Sequence, residues 1–160
     1  MKQPIERTCS PNLFPQPYEI LAYKQVAVEE CIELPDYKPI IHRIIDIKIN
    51  PELESHRIMD SPQGKKVFIK GHLDQEILYA VDSLCQPVHA FHSISPFCTF
   101  ISLGNCYIYN CNWLEAYKPK ILVEHIEFAQ VSCRSMRKCL LLYIWYPKAI
   151  LRATRKGPII

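Results

Sequence analysis

From residue 18 the chain alternates with a period of two: Val26, Val28, Ile32 and Leu34 fall on one face of an extended segment, and Gln25, Glu29 and Glu33 on the other. An extended backbone sends successive side chains to opposite sides, so this pattern fits a half-buried strand and not a helix. Glu30 is the one misfit on the apolar face. Further strands are predicted at "PVHAFHSI", "FCTFISL", "CYIYNCNWLEAY", "KILVEHIEFAQV" and "KCLLLYIWY". After the turn signal "DSPQGKK", the segment "KVFIKGHLDQEILYAV" is broken by Gly71 and reads as two strands or as one strand with a bulge. In "LPDYKPIIHRIIDIKI" the apolar positions 40, 41, 44 and 45 suit a short helical turn before "IDIKI" extends. No helix longer than a turn or two is predicted. Eight or more short strands with proline or polar breaks make the chain all-β, an antiparallel β-sandwich or barrel-like single domain.

The ends differ from this middle. Pro4, Pro11, Pro15 and Pro17 fix φ and remove amide donors, so residues 1–17 are expected to form an extended N-terminal arm that carries Cys9. The β-domain is placed at 18–147. Residues 148–160, with Lys148, Arg152, Arg155 and Lys156, form a basic tail or a last strand. At 160 residues, with 49% hydrophobic and 22% charged, one core is feasible, burying roughly 70% of the unfolded surface.

Composition excludes several partners. A net charge of +3 is too small to indicate nucleic acid. The aromatic ladder Tyr107, Tyr109, Trp113 and Tyr117 lacks the interleaved Lys or Arg of a base-stacking platform, and fits a packed face or a subunit interface. "CLLLYIWY" is far short of the ~20 residues that span a bilayer, so no membrane partner is expected. "MKQPIERTCSPNLF" lacks an uninterrupted apolar run, so no secretion signal is expected and synthesis is placed in a cytoplasm.

The stretch "QPVHAFHSISPFCTF" brings His89, His92 and Cys98 close together in sequence. His89 and His92 are an odd number of residues apart, so on a strand they face opposite ways and do not chelate one ion. His89 shares a face with Phe91, and His92 with Val88, Ala90 and Ile94. Cys98, between aromatic residues, is expected to be a packed or half-buried thiol. No C-x-x-C pair, nucleophile elbow, phosphate loop or H-E-x-x-H pattern occurs, and the four glycines form no phosphate cradle. No catalytic residue, metal ligand or cofactor is therefore assigned, and the chain is expected not to be an enzyme.

Eight cysteines, Cys9, Cys31, Cys85, Cys98, Cys106, Cys111, Cys133 and Cys139, are many for a chain without a secretion signal, because cytosolic thiols are normally kept reduced. They are buried inert thiols, metal ligands, or thiols oxidised after the surroundings change.

Taken in order, "LPDYKPIIHRII", "KGHLDQEILY" and the pair "PVHAF" and "PFCTFI" resemble the SPOCS domain family of spore-coat and exosporium proteins of spore-forming Firmicutes, over about Tyr18 to Tyr146. The resemblance implies a β-rich, non-enzymatic module used to build spore envelopes. Some members combine such domains with a LysM domain that docks onto the coat; none is read in this sequence, so a small building block is expected rather than a docking adaptor. It also accounts for the cysteines: coat layers are made in the reducing mother cell and meet an oxidising exterior when that cell lyses. The expectation is thus a structural subunit of the spore surface (exosporium, coat or appendage). It self-assembles into a fibre or lattice through the arm and open sheet edges, with disulfides as locks. All eight cysteines are candidates, and Cys9 is the candidate intermolecular cross-link, because it rides on the segment least able to pack into its own domain. Each native bridge typically contributes about 2–4 kcal/mol. The alternative is an adaptor that binds another coat or exosporium protein without polymerising.

Overall fold

A computed structural model describes residues 4–104 and 118–147. They form two antiparallel sheets. One has four strands: β1 (Ile5–Thr8), β2 (Ile20–Glu33), β6 (Lys120–Gln130) and β7 (Ser135–Pro147), in the spatial order β1-β6-β7-β2. The other has three, β3 (Ile41–Ser61), β4 (Gly64–Val81) and β5 (Val88–Gly104), in sequence order. The sheets do not close on each other, so the expected sandwich-or-barrel is a sandwich. Among the described residues, the helical segments are two single 3-10 turns, at Pro11–Leu13 and Pro17–Glu19.

The alternation seen in the sequence sets which face is inside. Even positions of β2 and β7 point inward, so Ile32, Met136, Leu140, Leu142, Ile144 and Tyr146 are buried. Odd positions of β4 meet them from the other sheet with Val67, Ile69, Leu73, Ile77 and Tyr79. β2 lies over β5, and β3 over β6. Apolar area removed from water between two such faces, worth about 25 cal/mol per Å², drives the layers together.

Three expectations change. Among the described residues the strands number seven and are longer than the short ones expected: β5 runs unbroken through Pro96, and β3 through Pro51. Both are edge strands, where a missing amide donor interrupts no interior ladder. Gly71 does not break β4 either, since the irregularity lies across from it, between Leu53 and Ser55. The short helix expected around 40–45 is strand. Register shifts between Ile41 and Arg43 and between Ile44 and Asp46 make an extended chain mimic helical spacing.

The proline-framed "LPDYKP" carries the chain from the first sheet to the second, closing one end of the sandwich. Backbone bonds tie it to the β6–β7 turn: Leu34 N–H donates to Arg134 O (2.7 Å) and Ile41 N–H to Cys133 O (2.8 Å). The Arg134 guanidinium donates to the carbonyls of Pro35 and Lys38 (3.2 and 3.1 Å), and Tyr79 Oη donates to Pro39 O (3.2 Å).

Candidate functional site

The arm is less free than its prolines suggest. Ile5–Thr8 pairs antiparallel with Phe128 to His125, and Cys9 N–H continues the ladder to Glu124 O at 2.9 Å. Thr8 Oγ1 and His125 Nδ1 are 2.8 Å apart. Arg7 crosses to the other sheet, with one guanidinium nitrogen on the Asp46 carboxylate and another donating to Ile47 O at 3.1 Å. The Arg7 hydrogen bond holds the Asp46 carboxyl below the usual carboxylate range, against partial burial. Beyond Cys9 the chain crosses to β2, at the far edge of the same sheet, and Phe14 packs edge-on against Tyr143.

Cys9 is thus half-buried beside a groove of about 440 Å³ lined also by Ile47, Val123 and Ile126. Burial, and after it the Glu124 charge, push its thiol pKa up. Cys31 and Cys98 are exposed on the edge strands β2 and β5, and Cys85 and Cys133 are exposed in the β4–β5 and β6–β7 connections. Cys139 is half-buried on the outer face of β7. Cys106 and Cys111 lie outside the described residues, as do the aromatic ladder and the basic tail. All six described cysteines are free thiols. Cys31 pairs with Arg137 and Cys139 with Glu29, so these two thiols are diagonal neighbours across the Arg137–Glu29 ion pair. Such diagonals lie about 7–8 Å apart, beyond ordinary disulfide reach.

The stretch "QPVHAFHSISPFCTF" divides by parity as expected. His89 turns inward and stacks on Tyr79 (centroids 5.9 Å apart), while His92 turns outward to Glu76 (3.4 Å). Cys98 corrects its expectation: it is exposed, because the same parity sends Phe97 into the core and Cys98 out. Among the described residues no group of three or more His, Cys, Asp or Glu side chains is arranged to hold a metal ion, and no helix is long and apolar enough to cross a membrane.

The sequence flagged Glu30 as a misfit and overlooked its partners. Lys138, with 0% of its side chain exposed, points between the sheets and donates from Nζ to Glu30 Oε2 (2.7 Å) and to Gln75 Oε1 (2.6 Å). Gln75 Nε2 donates to the same Glu30 oxygen at 3.5 Å, and Ser95 also hydrogen-bonds the carboxylate. Four strands, β2, β7, β4 and β5, each contribute one member. Burial alone would raise the Glu30 carboxyl, but the Lys138, Ser95 and Gln75 hydrogen bonds and the Lys138 charge leave it below its ordinary value. Burial pushes the Lys138 ammonium down, against the hydrogen bond and charge of Glu30. Parity was the available signal, since Lys138 alternates in phase with Leu140, Leu142 and Ile144, and Gln75 with Leu73 and Ile77.

Neither a curated protein nor a solved structure matches this chain. One family model does, described as "SipL, SPOCS domain", over residues 40–131. That span holds the inter-sheet connection's end and all of β3 to β6, and leaves out β1, β2 and β7. The SPOCS domain is associated with spore structural proteins and not with catalysis. The match takes in more than half of the chain and contains the elements that carry the resemblance, so the chain belongs to the SipL, SPOCS domain family.

Proposed function

We propose that this chain is a non-enzymatic structural subunit of the spore surface that self-assembles into a fibre or lattice and is then locked by disulfides. The observation that carries this reading is the placement of its thiols: four of the six described cysteines are exposed, two of them on strands that are sheet edges among the described residues. Edge strands offer unpaired amides and carbonyls to a second copy, and a thiol on such an edge lies where a neighbour would arrive. Cys9 is a further candidate for the intermolecular bond, available once the arm leaves β6 for a neighbouring subunit. Purified protein viewed by negative stain with and without reductant is expected to show ordered polymers that shorten or dissociate on reduction. Monodisperse particles under oxidising conditions would remove self-assembly. On non-reducing gels Cys9→Ser is expected to thin the covalent ladder, and an unchanged ladder takes Cys9 out of the mechanism.

One observation favours a second reading. The arm is docked on its own sheet through β1, Arg7 and the Cys9 amide, which completes a single subunit without a neighbour. An adaptor that joins another coat or exosporium protein through an edge strand would use this closed form. The same micrographs separate the two, since the adaptor stays monodisperse whatever the redox state.

A further inference from the structure

We propose that Lys138 and Gln75 join in a self-catalysed isopeptide bond across the two sheets, with Glu30 as the proton-transfer group. The grounds are the positions of three groups inside a β-sandwich: an amine, a carboxamide and a carboxylate in mutual hydrogen-bond contact, with the amine wholly shut off from water. Lys138 Nζ is 2.6 Å from Gln75 Oε1 and 2.7 Å from Glu30 Oε2, and that same carboxylate oxygen is 3.5 Å from Gln75 Nε2. One oxygen therefore touches both the nitrogen that would attack and the nitrogen that would leave. The orientation of the carboxamide follows from its partners, because an ammonium has only donors and must face the amide oxygen.

The atoms balance without an oxidant or cofactor. Glu30 takes a proton from the Lys138 ammonium, freeing the amine lone pair, and the loss of solvent around Nζ favours that neutral form. The lone pair attacks Gln75 Cδ, forming the C–N bond and pushing the carbonyl electrons onto Oε1. The Cδ–Nε2 bond then breaks, with its electron pair leaving on Nε2. Glu30 delivers a proton to Nε2 and accepts the surplus proton from Nζ, so one ammonia departs, finally as ammonium. Holding both reactants in one orientation replaces a bimolecular encounter, and a carboxylate within hydrogen-bond reach of both nitrogens is the geometry general acid–base catalysis requires. Ser95 steadies the carboxylate, and Glu30, 27% exposed, gives the cluster a side toward solvent, where ammonia can leave while Lys138 stays dry.

The bond would clip β7 of one sheet to β4 of the other, joining residues 63 apart in sequence. It is independent of how subunits assemble and rests on no spore-specific property.

Intact-mass measurement of the reduced, purified chain tests it. The expected result is a chain lighter by one ammonia, together with a branched peptide containing Gln75 and Lys138 and no tryptic cleavage after Lys138. The full unmodified mass with both peptides recovered free overturns the proposal, as does an ammonia loss that fragmentation maps elsewhere. Glu30→Gln should restore the unmodified mass in protein that still shows β-sheet circular dichroism. A folded Glu30→Gln chain that still loses ammonia at Gln75 and Lys138 overturns the role of Glu30. The wild-type mass alone decides the bond should that variant not fold.

Discussion

Gly71 leaves no room for a side chain. A Cβ there would come within 2.4 Å of Glu52 O and 2.6 Å of Phe97 Cζ, and the carbonyl belongs to a paired strand that cannot simply swing away. Gly71→Ala is expected to destabilise the fold by about 1–3 kcal/mol, the usual range for overpacking, read as a lower urea midpoint at unchanged slope. The cysteines give a second single-residue prediction. Only the thiolate reacts with alkylating agents, so Cys9, half-buried and raised in pKa, should be modified several-fold more slowly than the exposed Cys31, Cys85, Cys98 and Cys133 under native conditions. Peptide mapping after brief iodoacetamide treatment checks the order, and Cys9 reacting first would mean that the arm is not held on β6. Single residues were legible in the sequence where parity decides, as for His89, His92 and Glu30. They were illegible where the neighbour across the sandwich decides: parity puts Lys138 on the apolar face of its strand, but its partners Glu30 and Gln75 show only once β2 and β4 are placed against it.

Strand boundaries were the least legible feature, for a physical reason. A bulge inserts one residue and flips the phase of everything after it, so β3, with three register shifts, shows neither a clean period of two nor of 3.6. Pro96 misled in the same way, since a proline marks a break only in a central strand and this one lies on an edge. The arm's attachment was not legible at all, resting on Arg7 and Asp46, 39 residues apart. That tie makes β1 sensitive to acid. Asp46 has a folded-state pKa depressed by Arg7, so its contribution is complete above the unfolded carboxylate pKa and is lost as pH falls through the lower, folded value. As pH falls from neutrality to below the ordinary carboxylate range, hydrogen exchange corrected for its intrinsic pH dependence should show the Cys9 amide losing protection before the amides of β4. Arg7→Ala should bring the same loss at neutral pH. Uniform protection across β1 and β4 at acid pH would show that other contacts hold the arm.

At the scale of the molecule, what distinguishes this sandwich from two apolar sheets pressed together is the polar bridge at its centre, and that bridge is asymmetric. Lys138 is wholly buried, whereas Glu30 keeps part of its carboxylate toward water. Removing one partner of a buried pair strands the other, and the penalty depends on which is left. Glu30→Ala leaves an amine with no carboxylate and no solvent, so the loss should be about 3–5 kcal/mol. Lys138→Met fills its volume with an apolar chain and leaves Glu30 able to turn to water and to Ser95, so the loss should be nearer about 1–2 kcal/mol. Neither variant can form the Lys138–Gln75 bond under the proposed mechanism, so the comparison between them is independent of whether wild-type protein carries it. A domain of this size is typically stable by about 5–15 kcal/mol, so Glu30→Ala should remove a large share of that stability while Lys138→Met removes a small one. Urea unfolding of the two variants, extrapolated to water, gives the difference directly. Equal losses would show that the two charges are desolvated alike and that the open side of Glu30 carries no energetic weight.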